Sequence, residues 1–205
     1  MATLHRHTTS SDTSHQATDV TPQEREIVTS HPARQALAAV RIAFGLTFLW
    51  AFFDKLLGLG FATGAVTNAS GAKTGIDYFS PDAWINGGNP TLGFLKFGAT
   101  GPFQGFYNSI AGDAWVNWLF MLGLLGIGVA LTFGIAIRLG AVAGFVMYLM
   151  MWSVALLPPN NPLIDEHILG ALTVLVLGLT LAGDTWGLGR SWAKLGLVRK
   201  HPALR

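Results

Sequence analysis

Apolar residues in this chain gather into four stretches, at residues 36–59, 114–137, 139–157 and 162–182, separated by polar segments of very unequal length. Each stretch is apolar all round and not along one stripe, which is the pattern that lipid selects. A helix over any of them reaches roughly 28 to 36 Å at 1.5 Å per residue, matching a hydrocarbon core of about 30 Å. The pattern predicts an all-α integral membrane four-helix bundle, with a long extracytoplasmic loop at 60–113 between its first and second helices. Around the membrane domain, 34–189, lie an amino tail at 1–33 and a basic tail at 190–205. The amino tail is rich in Ser, Thr, His and Asp without an apolar period, so disorder is expected there up to about Ser30. No basic-then-apolar region marks it as a secretory signal.

The loop at 60–113 is too long for a simple connector. Its second half holds Leu92, Phe94, Leu95, Phe97, Phe103, Phe106 and Tyr107 among several glycines. That composition suits a lid packed on the bundle, or an amphipathic or re-entrant piece along the interface. Small residues recur at helical spacing on the spans: Gly123, Gly126, Ala130 and Gly134, then Gly140 and Gly144, then Gly170 and Gly178. They read as points of close helix approach, and would also suit self-association.

Charge sharpens the membrane reading. Charged residues form 12% of the chain, against roughly a quarter in a soluble domain. Most sit in the tails and the long loop. Arg25, Arg34, Arg138, Arg190, Lys194, Arg199 and Lys200 fall on one side of the bundle; Lys55, Lys73 and Lys96 fall on the other. The positive-inside rule then puts both termini in the cytoplasm of a cell-membrane protein. Trp115 and Trp118 open the second span, and Trp186 and Trp192 follow the fourth, as interfacial belts do. The small net charge of +2 is concentrated at the ends and offers nothing to nucleic acid. There is no cysteine, hence no disulfide or thiolate ligand within the chain.

The candidate chemistry lies where the fourth span begins. Asn161-Pro162 reads as a helix N-cap followed by proline, which puts Asp165 and Glu166 near the positive end of the helix dipole. That placement accounts for both acids without any function. His167 lies one turn further in, at the edge of hydrocarbon, where an ionisable side chain faces the bundle interior as a rule and can exchange protons near neutral pH. At the end of span one, Lys55 reads as a snorkelling side chain, and Asp54 as one turned into the bundle towards the start of span four. Arg41 lies about 20 Å from Asp54 along the helix and reads as a snorkelling anchor. Phosphate-cradling, HExxH and nucleophile-elbow motifs are missing, and so are metal, flavin and haem signatures.

Arg41-Ile42-Ala43-Phe44-Gly45-Leu46, followed by Phe52-Phe53-Asp54-Lys55-Leu56, resembles the opening of DoxX-type membrane proteins, whose first helix shows R-x-x-x-G and later G-x-x-K. Phe52 stands where that glycine is common. The run Asn161-Pro162-Leu163-Ile164-Asp165-Glu166-His167, with Gly183-Asp184-Thr185-Trp186-Gly187-Leu188-Gly189 beyond the span, is similar to the DoxD-like branch, which includes the small membrane subunit of thiosulfate:quinone oxidoreductase. The resemblance covers residues 34 to 200.

The resemblance implies a membrane subunit of a redox complex, an oxidoreductase component passing electrons to a quinone near the outer face with a partner subunit supplying the redox chemistry. His167, Asp165 and Asp54 are then the expected catalytic residues, and His167, Trp152 and Asn161 the expected quinone contacts, with no metal. Two other readings stay open: a non-catalytic membrane anchor for redox or stress-response proteins, docking through its basic tail or lid, and a transporter of a small solute or lipid.

Overall fold

The computed structural model describes residues 22–158, 161 and 163–205. The tail at 1–21 and residues 159, 160 and 162, where disorder and the Pro162 helix start are expected, lie outside the described residues. Within the expected disordered tail, a one-turn helix α1 (Glu24–Ile27) instead precedes α2, which starts at His31 with Pro32 in its first turn, a position where proline's missing N–H costs nothing. The chain is mostly helical. Helix α2 (His31–Leu57) ends at Gly58 in the left-handed region (φ 68°), whose N–H donates to Asp54 O.

The long loop is built of small pieces. A two-stranded antiparallel ribbon, β1 (Ala65–Thr67) with β2 (Lys73–Ile76), is followed by single turns and by α3 (Gln104–Ile110). The loop is tied down at several points. Thr100 N–H donates to Val154 O at 2.9 Å, Thr100 Oγ1 donates to Leu156 O at 2.8 Å, and Thr91 Oγ1 donates to Asn117 Oδ1 at 2.6 Å. Trp84 meets Trp118 edge to face at 4.8 Å. We call this segment the lid.

Helix α4 (Ala114–Phe133) and helix α5 (Ile137–Val154) follow, and with α2 they are the helices long and apolar enough to cross a membrane among the described residues. The expected second span overran α4 because Gly134 is a left-handed cap (φ 71°), its N–H on Ala130 O, which ends the helix; its close approach is to the backbone of Gly183 beyond α6. Helix α6 (Glu166–Leu179) has 14 residues and reaches only about 21 Å, shorter than the span expected at 162–182. Its start is set by Asp165, and beyond Leu179 the chain turns, with Leu181 at φ 54°.

Each long helix buries one stripe. On α2 this is Ala38, Arg41, Gly45, Phe48 and Phe52, at the three- and four-residue spacing of a helix face. The opposite faces are exposed and apolar, including Leu46, Trp50 and Phe53 on α2, Leu119 and Leu122 on α4, and Val142 and Val146 on α5. Close approach depends on small residues. A Cβ on Gly45 would sit 2.5 Å from Thr132 N, and one on Gly128 2.9 Å from Leu49 N, so α2 and α4 meet backbone to backbone. Gly140 abuts Ala130 between α5 and α4; Gly170 and Gly178 abut Tyr148 and Ala141 between α6 and α5. Gly126 faces open space and joins no helices.

Arg41 is fully buried, which corrects its reading as a snorkelling anchor. Its guanidinium donates to the backbone oxygens of Ala182 (3.0 Å), Thr132 (2.8 Å), Thr185 (3.3 Å), Trp186 (3.1 Å) and Leu131. Leu131 and Thr132 lie in the last turn of α4, where backbone oxygens lack intrahelical partners and the dipole is negative, whereas Ala182, Thr185 and Trp186 lie in the turns beyond α6. One side chain of α2 thus ties the end of α4 to the chain that leaves α6. Close by, the expected basic tail folds onto the bundle as α7 (Gly189–Trp192) and α8 (Gly196–Lys200). Buried Arg205 pairs with Asp184 at 2.7 Å, Asp184 accepts from Glu24 N–H at 3.0 Å, and Thr185 Oγ1 donates to Glu24 Oε2 at 2.6 Å. Burial pushes the Glu24 carboxyl up and nearby Asp184 adds to this; the Thr185 hydrogen bond and Arg34 only partly offset them.

Candidate functional site

At the start of α6 the local chemistry is a cap. Asp165 Oδ1 accepts from the amides of His167 (3.0 Å) and Ile168 (3.1 Å), which makes Asp165 and not Asn161 the N-cap. Asn161 Oδ1 instead accepts from Leu163 and Ile164 N–H at 2.9 and 3.1 Å, forming a turn before the helix. Trp152 Nε1 donates to Leu163 O at 3.1 Å and pins that turn to α5. Four of the expected site residues, Asn161, Trp152, Asp165 and His167, therefore share one small corner.

Asp165 Oδ2 lies 2.7 Å from His167 Nδ1. Burial pushes the Asp165 carboxyl up, but the hydrogen bonds from the His167 ring and from the Ile168 and His167 amides outweigh it and hold the carboxyl below its usual range. The His167 ring packs edge to face on Tyr148, 6.5 Å between centroids, and Tyr148 in turn meets Phe48 at 5.4 Å. The pair is an oriented imidazole with Nε2 left for other partners. Asp165, Glu166 and His167 offer ligand atoms within 4.8 Å of one another, yet both Asp165 oxygens are already taken by its own helix start.

Asp54 belongs elsewhere. It is buried, and its oxygens accept from the amides of Phe61 (3.0 Å), Ala62 (2.7 Å) and Thr63 (3.1 Å). The expectation that it turns towards span four to serve His167 is corrected, because the chain leaving α2 folds back and uses its carboxylate first. The arrangement fixes the first residues of the lid beside Lys55.

Those residues wall a chamber of about 1110 Å³ that none of the expected site residues lines. Its walls are the lid segments Ala62–Ala65 and Asn89–Leu95 with Phe97, Phe106 and Tyr107, one face of α4 from Trp115 to Ile127, and α5 from Ala143 to Val154. Trp115 to Ile127 spans about 18 Å along α4, so the space runs well down the bundle from the lid. The lining is mostly apolar, as ligand pockets of 300–1,000 Å³ usually are. Several lining side chains are also exposed on the apolar outer face: Trp115, Leu119 (59%), Val146 (50%) and Met150. The chamber thus opens sideways between α4 and α5 as well as under the lid.

Two charged side chains line it, Lys55 and Asp82. Asp82 is exposed, whereas Lys55 is half-buried and makes no ion pair or side-chain hydrogen bond among the described residues. Sequence reading missed this site because it forms from three segments far apart in the chain. The one signal was the aromatic run at 92–107, which does form the roof.

No family model, curated protein or solved structure matches the chain.

Proposed function

We propose that this chain is the membrane subunit of a redox complex, and that the chamber under its lid holds the quinone that the complex reduces. In this reading α2, α4, α5 and the shorter α6 form one four-helix membrane bundle, with the lid outside the cell membrane and both termini in the cytoplasm. The observation that carries it is the sideways opening of an apolar chamber onto the helix faces that meet lipid. A long-tailed, water-insoluble molecule can enter there without leaving the bilayer. The resemblance to DoxX- and DoxD-type proteins supports the same reading. Reduction to quinol takes two electrons, which a redox-active partner subunit supplies, and two protons, which the water side of the lid supplies.

Gly123 and Met147 both line the chamber, with the Met147 methyl packed directly on Gly123. Gly123→Leu fills the space, and the flexible Met147 end can move to admit it. Extraction of gently purified protein is expected to yield about one quinone per chain, lost in Gly123→Leu. Wild-type protein without quinone, or equal amounts in both, counts against the proposal. Orientation can be read in the cysteine-free chain by labelling Phe97→Cys and Lys200→Cys with an impermeant maleimide in intact cells. Reaction at position 97 alone is expected, and reaction at 200 alone reverses the topology.

The anchor reading keeps one observation in its favour, the exposed lid aromatics Phe61, Tyr78 and Phe79. Its tail-docking form is weakened, since Arg205 and Trp192 bond within the chain itself.

A further inference from the structure

We infer that Lys55 anchors the head of the chamber's ligand, and that the ligand this selects has a neutral carbonyl head on an apolar tail. The inference rests on the chamber being a ligand site, as proposed above. A lysine at the end of a membrane helix ordinarily runs its stem along lipid and places its ammonium in water. Lys55 lines the chamber instead, half-buried, with no acceptor for its three N–H groups among the described residues. Its ammonium stays reachable from the chamber, so an incoming acceptor replaces water on donors that no protein group among the described residues holds.

The neighbouring acid decides what kind of acceptor fits. Asp54 directly precedes Lys55 in the last turn of α2, so a buried carboxylate lies beside the lysine. Its oxygens, however, are occupied by the amides of Phe61, Ala62 and Thr63. It therefore balances the lysine's charge without satisfying its donors. A carboxylate or phosphate head would bring a second negative charge into a mostly apolar space already neutralised, where unpaired charge is expensive. A carbonyl oxygen accepts the hydrogen bond and adds no charge. The exposed Asp82 at the rim further disfavours an anion entering from water. Beyond Lys55 the walls offer Leu119, Phe120, Ile127 and Met147 to a tail.

The test uses titration calorimetry of the full chain in detergent micelles with three probes of similar tail: decyl-benzoquinone, decylbenzene and decanoate. Wild-type protein is expected to prefer the quinone to both others by about tenfold or more. Lys55→Met is expected to lose about tenfold on the quinone and nothing on decylbenzene, which also shows that the variant's chamber is folded. Lys55→Arg keeps most of the quinone affinity. Unchanged quinone binding in Lys55→Met overturns the anchor while leaving the chamber intact, as does a preference for decanoate. If no probe binds the wild-type chain, the chamber proposal itself falls and this inference falls with it.

Discussion

Replacing Arg41 by methionine, a side chain of similar length without a donor, takes the guanidinium from five backbone oxygens, two in the last turn of α4 and three in the turns beyond α6. A hydrogen bond to a charged group contributes about 1.5–3 kcal/mol, so five taken independently would exceed the stability of many whole domains. They are not independent, because one guanidinium serves them all and relaxation lets some carbonyls find other partners. Leaving a buried acceptor unpaired costs about 1–3 kcal/mol, and with part of the five re-satisfied the expected loss here is about 3–5 kcal/mol. Lysine keeps the charge but has one nitrogen, whereas the acceptors are shared among Nε (Ala182), Nη1 (Leu131 and Thr132) and Nη2 (Thr185 and Trp186) of the planar fork. Arg41→Lys is therefore expected to lose about half as much. Unfolding in a mild detergent, titrated with denaturant and followed by tryptophan fluorescence, measures both. A loss below about 1 kcal/mol for Arg41→Met, or full rescue by lysine, would refute the view that this residue ties the end of α4 to the chain leaving α6.

Asn117 is buried and its Oδ1 accepts from the Thr91 hydroxyl and amide. Asn117→Leu is expected to cost about 1–3 kcal/mol and to speed proteolysis of the lid, since it orphans two donors; unchanged lid cleavage contradicts this. Asp165→Ala loses the α6 cap and should destabilise by about 1–2 kcal/mol near pH 7. Because the folded-state Asp165 carboxyl titrates below its ordinary value near 3.8, its contribution is present above that value and lost as pH falls through the lowered one. The wild-type and Asp165→Ala melting temperatures should therefore converge at strongly acid pH, and a gap that stays constant argues against the dyad. Glu24 has the opposite sign: its folded-state value lies above the ordinary 4.5, so its contribution is full below 4.5 and lost as pH rises through the raised value. Glu24→Gln should melt higher than wild type at pH 8 and about equally at pH 4; equal melting at both would remove the electrostatic explanation.

Helices α2, α4 and α5 are legible in the sequence because an all-round apolar run of that length has few other uses. The start of α4 after Asp113 was readable to the residue. Its end was not, because apolar character continues past Gly134 and only backbone conformation shows where the helix stops. The same effect stretched α6 beyond Leu179, and at its other end Asn161 and Asp165 both had cap chemistry; hydrogen-bond geometry separates them. The grouping of Trp152, Asn161, Asp165 and His167 followed from nearness in sequence. Arg41 and Lys55 were misread for a common reason. A charge near a membrane helix end is assumed to seek water, and nothing local reveals that the chain will bring carbonyls or a chamber to it. Asp54 does turn inward as expected, but the amides of Phe61, Ala62 and Thr63 that hold it leave no local pattern.

The most direct test of the chamber is to map where a quinone sits. The purified chain would be irradiated with a photoreactive azido-quinone and its labelled peptides identified by mass spectrometry. Labelling is expected in the lid at 89–97 and on the facing parts of α4 and α5, Trp115–Ile127 and Ala143–Val154, and it should fall when unlabelled quinone is added in excess. Competable labelling confined to the α6 corner around Asp165 and His167 would contradict the chamber and return the site to that dyad.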